Sequence, residues 1–366
     1  MNVWKYSEWW GAPPRQFQVS LGEGGTPLIP SIRIGRELGL KQLYFKYEGA
    51  NPTGSYKDRF ATAALSHLRQ DGKKLCLGTS SGNTGAAVAA YCARAGIPCF
   101  LAIVEGAPEG KLRQMASYGA QLFRIKQFGL NPSVSAGIMA GLRGLASSLG
   151  AGLEISAFAT SPRGMAGVQT LSFEIAEDLK AGKIHVFCPA GAGGLTLAVA
   201  RGFEILGAQK AWPGHAAVHC VQPEGNDTIA TLLRTGGTKA KAVQSTTAIS
   251  GLQVGSIMDG DAVIDSCRRS GGQGYTVSDE KTWAWQARMA REEGIFSEPA
   301  GAVALAGAAD AVKRGEISPD EPVVCLVTGS GFKDERSVLR MIGEGGTPLV
   351  DDFAAFEKNV RAKLGA

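Results

Sequence analysis

From residue 75 to residue 149 the chain alternates without a break between short apolar runs and longer small-residue stretches with helical spacing. Residues 75–78, 98–104 and 121–125 read as strands, and residues 85–95, 109–118 and 133–149 read as helices. Strands joined through helices are too far apart in the chain for hairpin pairing, so the alternation predicts a parallel sheet with helices on its faces. A second series follows, with helices at 167–180 and 195–206 and strands at 184–188, 217–221 and 323–327. At 366 residues the chain exceeds the size at which one core stops growing. The expected fold class is α/β, with two parallel-sheet domains around a cleft. Residues 236–255 are polar and aperiodic and read as a loop, part of a lid.

Composition narrows the function classes. The net charge of +5 is spread along the chain without a Lys/Arg block, which argues against a nucleic-acid or membrane-surface partner. No apolar run approaches the roughly 18 residues that cross a bilayer, and the first ten residues lack a signal-like apolar stretch, so a cytoplasmic protein is expected. The seven cysteines form no Cys-x-x-Cys pair and read as small, reduced core residues. His215 and His219 have i,i+4 spacing, but the segment reads as a strand, where that spacing does not converge, and no metal site is expected. The heptapeptide at 22–28, Gly-Glu-Gly-Gly-Thr-Pro-Leu, recurs at 343–349 with unmatched flanks and reads as coincidental turn chemistry.

Four places where an extended segment hands over to a helix carry chemistry. In the first, Asn51-Pro52-Thr53-Gly54-Ser55-Tyr56-Lys57-Asp58-Arg59 follows the aromatic strand 43–47 and precedes the Ala/Leu-rich helix 60–68, which places Lys57 where α/β sheets meet ligands. A lysine held there can form a Schiff base; read alone, the window favours a solvated surface group. The second is Ser80-Ser81-Gly82-Asn83-Thr84, whose hydroxyls and amide at a helix N-terminus suit a carboxylate, or merely cap the helix. In the third, Pro189-Ala190-Gly191-Ala192-Gly193-Gly194-Leu195, successive glycines let backbone N–H groups close around a phosphate. That loop is neither Gly-x-Gly-x-x-Gly nor a Walker loop, so a small phosphate-bearing cofactor fits better than a nucleotide. The fourth, Val327-Thr328-Gly329-Ser330-Gly331-Phe332-Lys333-Asp334, places the Thr328 hydroxyl at the end of a buried strand. A reactive amine, a carboxylate cradle, a phosphate cradle and a neutral hydroxyl together fit pyridoxal phosphate chemistry.

These residues also carry a family likeness. The run Leu21-Gly22-Glu23-Gly24-Gly25-Thr26-Pro27-Leu28, and Lys46-Tyr47-Glu48-Gly49 leading into Asn51 to Arg59, resemble the pyridoxal-phosphate enzymes of the tryptophan synthase β fold type and, within them, the threonine synthases. The likeness covers nearly the whole chain. It implies a fold type II enzyme with the cofactor in the cleft, a large domain of residues 1–57 and 158–366, a small mobile domain of residues 58–157, and a homodimer. It also implies that Lys57 is the Schiff-base lysine and the acid/base, that Asn83 bonds the cofactor's O3′, and that Gly191, Ala192, Gly193, Gly194 and Leu195 hold its phosphate. Thr328 falls where the family faces the pyridine nitrogen with a hydroxyl, which favours elimination and replacement over transamination. Glu298-Pro299-Ala300-Gly301-Ala302 matches a further family motif.

For the substrate, the likeness implies an amino acid, O-phosphohomoserine, converted with water to threonine and phosphate. Candidate substrate contacts are Ser80, Ser81, Asn83, Thr84, Lys111, Ser161 and Arg163. The family's phosphate segment resembles Asn-Pro-x-Arg-x-Glu-Gly-Gln-Lys-Thr, whereas residues 161–170 read Ser-Pro-Arg-Gly-Met-Ala-Gly-Val-Gln-Thr, so the family arginine falls on Gly164 and its glutamate on Ala166. Arg163 stands one position early, a turn of about 100° on a helix. That departure, with Gly85 where threonine synthases carry serine, keeps open a β-replacement enzyme of the cysteate- or cysteine-synthase kind. A serine/threonine dehydratase often carries a regulatory C-terminal domain, for which residues 335–366 leave no room. A binding protein that has lost turnover is opposed by Lys57, Asn83 and Thr328 occurring together.

Overall fold

The computed structural model describes residues 2–80, 82–107, 109–180, 182–343 and 346–364. Its strands, in chain order, are β1 (Leu28–Pro30), β2 (Leu43–Tyr47), β3 (Cys76–Thr79), β4 (Cys99–Val104), β5 (Gln121–Ile125), β6 (Gly152–Glu154), β7 (Lys183–Pro189), β8 (His215–Pro223), β9 (Gly274–Val277) and β10 (Val323–Val327). They form a six-stranded sheet in the order β1-β2-β10-β7-β8-β9 and a four-stranded sheet in the order β5-β4-β3-β6. The four-stranded sheet is parallel throughout. The six-stranded one is mixed, because edge strand β1 runs antiparallel to β2, which the alternation alone did not predict.

Burial on both faces explains the uninterrupted apolar runs of the central strands. Every residue of β10, Val-Val-Cys-Leu-Val, is buried, as are Ile184 to Pro189 of β7. Helices cover both faces, and those at Lys57–Gln70 and Pro162–Val168 touch with almost no gap. A Cβ on Gly167 would stand 2.3 Å from the carbonyl oxygen of Arg59, so only glycine permits that approach. The stretch expected as one helix at 167–180 is two, Pro162–Val168 and Thr170–Asp178, meeting at Gln169. Strands β6 and β9, of three and four residues, are too short to show in the periodicity.

Parallel pairing directs the carboxyl ends of β2, β10 and β7 the same way, and Asn83, just past β3 of the other sheet, hydrogen-bonds Glu298. The helices Lys57–Gln70, Asn83–Ala95 and Gly194–Ala208 start in the intervening cleft. The bridge between Ser55 and Gly329 stitches the Lys57 turn to the end of β10. Among the described residues no helix is long and apolar enough to cross a membrane. All seven cysteines are buried and free.

Candidate active site

Lys57 opens its helix, and the turn before it is tied at both ends. Tyr56 N–H donates to Thr328 O at 3.0 Å and Ser330 N–H to Gly54 O at 2.9 Å. Asp58 accepts from Thr53 N–H at 3.0 Å and from Thr53 Oγ1 at 2.6 Å, and Gly54 takes φ +86°, a left-handed conformation that favours glycine. The Lys57 ammonium donates to Ser156 Oγ at 2.6 Å and lies 4.5 Å from the centre of the Tyr56 ring. Ser156 Oγ in turn shares a 2.8 Å hydrogen bond with Thr84 Oγ1. Burial of the amine outweighs the pull of Glu298 and Asp259 and lowers its pKa to about 7. Near neutral pH a large fraction of this lysine is therefore an uncharged nucleophile.

Two residues further on, Arg59 is fully buried and forms paired hydrogen bonds with two carboxylates, Glu48 at 2.7 and 2.8 Å and Glu174 at 2.6 and 2.7 Å. Lys46 reaches Glu174 at 2.8 Å, so two cations face two anions inside the core. Burial opposes the guanidinium charge, but Glu174 and Glu48 hold it firmly protonated. Glu23 anchors the preceding glycine-rich segment, accepting from Leu21 N–H at 2.9 Å and from Tyr91 OH at 2.8 Å. The motif residues around Lys57 thus form one polar scaffold that fixes where the helix begins.

Across the cleft, Asn83 Nδ2 donates to both oxygens of Glu298, at 2.9 and 3.1 Å, and Thr328 Oγ1 donates to the same carboxylate at 2.9 Å. Glu298 is 5% exposed. Burial raises its pKa, and the hydrogen bonds from Asn83 and Thr328 restrain that rise. Gly329 has to be small there, since a Cβ on it would fall 2.7 Å from Glu298 Oε1.

Opposite Lys57, residues 191–193 lead into the N-terminus of the helix Gly194–Ala208. Gly193 takes φ +92°, and a Cβ on it would lie 2.6 Å from Val263 Cγ2. From Gly191 to Thr196 no backbone N–H has an acceptor among the described residues, and the first helical bond is Leu197 N–H to Gly193 O. A row of unused donors at the positive end of a helix is an anion site. Ala192 and Leu195 lie within the same turn.

The remaining substrate candidates divide. Ser80 Oγ accepts from Gly82 N–H at 3.2 Å at the start of the Asn83 helix, while Ser81 lies outside the described residues. A Cβ on Gly85 would stand 2.5 Å from Ser80 O and 2.8 Å from Met115 Sδ, so the loop leaves no room for serine there. Lys111 reaches the cleft, 3.7 Å from Asp334 Oδ2 and in contact with Ser250. Ser161 accepts from Ile155 N–H at 3.1 Å beside β6. Arg163 must be corrected as a contact. It pairs with Asp71, just past the far end of the 14-residue Lys57 helix, roughly 20 Å from its start, and it is exposed.

A family model described as Pyridoxal-phosphate dependent enzyme matches residues 19–329. The chain belongs to that family. It is 33% identical over 350 residues to the threonine synthase of Methanocaldococcus jannaschii, covering 93% of this chain and 82% of that one. It is 32% identical over 358 residues to the threonine synthase of Mycobacterium tuberculosis, covering 93% and 90%. Two solved structures share the fold. The processed form of threonine deaminase isoform 2 from Solanum lycopersicum has a TM-score of 0.74 at 22% identity, covering 93% of this chain and 92% of that one. Diaminopropionate ammonia lyase from Escherichia coli has a TM-score of 0.75 at 17% identity, covering 94% and 93%.

The protein is thus a pyridoxal-phosphate enzyme, and its residues fit the cofactor: a lysine whose buried amine is held well below its usual pKa, a glycine cradle with unused N–H donors, and a hydroxyl at the end of β10. Two site residues were not singled out in the sequence. Ser156 has no motif signal, since it meets Lys57 only through the fold. Glu298 stood in a noted motif without a role of its own; it occupies the N-cap position of the helix Pro299–Lys313, but its side chain makes no cap and bonds Asn83 and Thr328 instead.

Proposed function

We propose that this enzyme is a lyase of the threonine synthase kind, acting on O-phosphohomoserine with water to release threonine and phosphate. The observation that carries the reading is the Lys57 amine, lowered to about 7, hydrogen-bonded to Ser156 and set between a glycine phosphate cradle and the Asn83–Glu298–Thr328 cluster. The relatives at 32–33% identity are named threonine synthases, which supports threonine as the product.

In this reading Lys57 would hold the cofactor through its amine and would serve as the acid/base that moves protons among the substrate carbons. Bound there, pyridoxal phosphate supplies an electron sink for charge at the substrate α-carbon. Residues 191–195 would hold its phosphate through backbone N–H groups, and Thr328 and Asn83 would bind its ring nitrogen and O3′. The N-terminal turn of the Asn83 helix, with Ser80, Ser81 and Thr84, orients the substrate carboxylate. Ser156 accepts the Lys57 proton-bearing end and keeps it aimed into the cleft. We further propose the division into a large unit, 1–57 and 158–366, and a mobile unit, 58–157, working as a homodimer.

A second reading, replacement at the β-carbon of an activated serine, draws on Gly164. A Cβ there would lie 2.7 Å from Phe60 Cε2 and 3.0 Å from Ala64 Cβ, so no arginine fits where threonine synthases place one. Cofactor-loaded enzyme given O-phosphohomoserine, O-phosphoserine, or O-acetylserine with sulfide or sulfite separates the two. Threonine with one phosphate per turnover supports the first, and turnover of the serine derivatives alone replaces it with the second. Lys57→Ala should form no borohydride-reducible bond to the cofactor; a normal reducible band in that variant would remove Lys57 from its role.

A further inference from the structure

If the substrate is a phosphate ester, as proposed above, its leaving group needs cations, and the helix Pro162–Val168 provides none. Gly164 is closed in by Phe60, and Arg163 is turned to Asp71. We propose that Lys333 and Lys111, one from each side of the cleft, form the pocket that binds the substrate's phosphate dianion.

Lys333 follows Thr328 by five residues, in the short turn Gly331–Lys333. Its side chain runs past the Lys57 turn, where Lys333 Cε lies 3.4 Å from the position a Gly54 Cβ would take. Its ammonium donates to Gln114 Oε1 at 2.5 Å, a neutral acceptor. Among the described residues no carboxylate comes within ion-pair distance of Lys333, unlike Lys111, which has Asp334 at 3.7 Å. Gln114 and Lys111 sit one turn apart on the helix Glu109–Ser117, so the two ammoniums approach the cleft together. Burial lowers the Lys333 pKa against the pull of Glu298 and Asp58, and Lys111 adds a smaller lowering. A half-buried cation with a cationic neighbour and a neutral hydrogen-bond partner lacks an anion in direct contact. A dianion seated between Lys333 and Lys111, with the Ser250 hydroxyl and the Gln114 amide at its edge, gives Lys333 the anionic contact it lacks and shares Lys111 with Asp334. An acetyl ester or a free hydroxyl brings no charge and leaves the shortage in place. The pocket therefore selects amino acids whose leaving group is a phosphate monoester.

The test uses cofactor-loaded wild type, Lys333→Gln, Lys333→Arg and Lys111→Gln, with inorganic phosphate as the probe, read by calorimetry and by the cofactor absorbance. Steady-state kinetics on O-phosphohomoserine run beside it. Expected are phosphate affinities at least about tenfold weaker in both glutamine variants, substantial recovery in Lys333→Arg, and a KM for O-phosphohomoserine that rises by a similar factor while kcat moves less. An unchanged cofactor spectrum shows that the fold and the Lys57 site are intact. Phosphate affinity unaffected by Lys333→Gln overturns the pocket, even if the wild type makes threonine. Phosphate affinity that depends on both lysines in an enzyme that makes no threonine keeps the pocket and removes the reaction assigned above.

Discussion

Asn83 and Glu298, 215 residues apart in the chain, meet across the cleft through two hydrogen bonds at 2.9 and 3.1 Å. The same carboxylate helps hold the Lys57 amine up against the burial that lowers it. Glu298→Gln removes that charge while keeping the shape, so Lys57 should lose its proton at lower pH. Only the neutral amine attacks an aldehyde. Cofactor capture by the wild-type apoprotein should therefore rise with pH to a plateau above about 7, and in Glu298→Gln the whole curve should move to lower pH. Stopped-flow absorbance against pH reads both, and superimposable curves would show that the two groups are uncoupled.

Arg59 should be the costliest polar residue to remove. Arg59→Met leaves Glu48 and Glu174 buried with one cation fewer, which costs about 3–5 kcal/mol by the behaviour of broken buried ion pairs. Urea denaturation of the holoenzyme measures it. A loss below about 1 kcal/mol would mean that water enters and solvates the site.

Arg163→Ala should leave KM for O-phosphohomoserine unchanged and cost no more than about 1 kcal/mol, the scale of an exposed ion pair with Asp71. Gly164→Arg, which restores the family residue in sequence, should destabilise by about 1–3 kcal/mol or more, because its first side-chain atom already meets Phe60. Chemical denaturation of the two variants, with KM measured beside it, separates a surface arginine from a binding one.

A buried histidine pair makes the six-stranded sheet sensitive to acid. Gln273 N–H donates to His219 Nδ1 at 3.0 Å, so the neutral His219 carries its proton on Nε2 and donates to His185 Nδ1 at 2.9 Å. His185 then carries its proton on Nε2, facing Glu321 Oε2 at 2.9 Å. Burial lowers both histidine pKa values below the ordinary 6.5. Below that pH the unfolded chain binds protons that the folded one refuses, so stability is full above about 6.5 and falls on acidification by up to about 1.4 kcal/mol per pH unit for each group. Glu321, held near 2, adds its own loss only once the pH drops below about 4.5. Denaturation midpoints of wild type and His219→Gln between pH 7 and 5 should converge as the pH falls.

Much of this was legible in the sequence because the relevant signals are local. The alternation located the strands at 121–125 and 323–327 to the residue, and most other elements within two or three. The glycine loop, Asn83 and Thr328 stood out because turns demand particular residues. What stayed hidden depends on distance in the chain. Ser156 gains meaning only by touching Lys57, and Arg163 loses it only by touching Asp71. The repeated heptapeptide makes the point within one molecule. In its first copy Glu23 and Thr26 are buried in the polar scaffold and Leu28 begins β1. In the second, Glu344 and Gly345 lie outside the described residues, and Leu349 is 99% exposed in a segment without regular structure.

The pairing of β10 with β2, Val323 beside Leu43 through Val327 beside Tyr47, also sets a timetable. The Lys57 turn is made early in synthesis, yet the strand that clamps it, and the hydroxyl that follows, emerge some 270 residues later. Such a long-range closure is slow and comes last. A nascent chain stopped short of Val323 would hold the lysine and the glycine loop without the wall between them, so cofactor capture would report that synthesis has passed the last strand of the sheet.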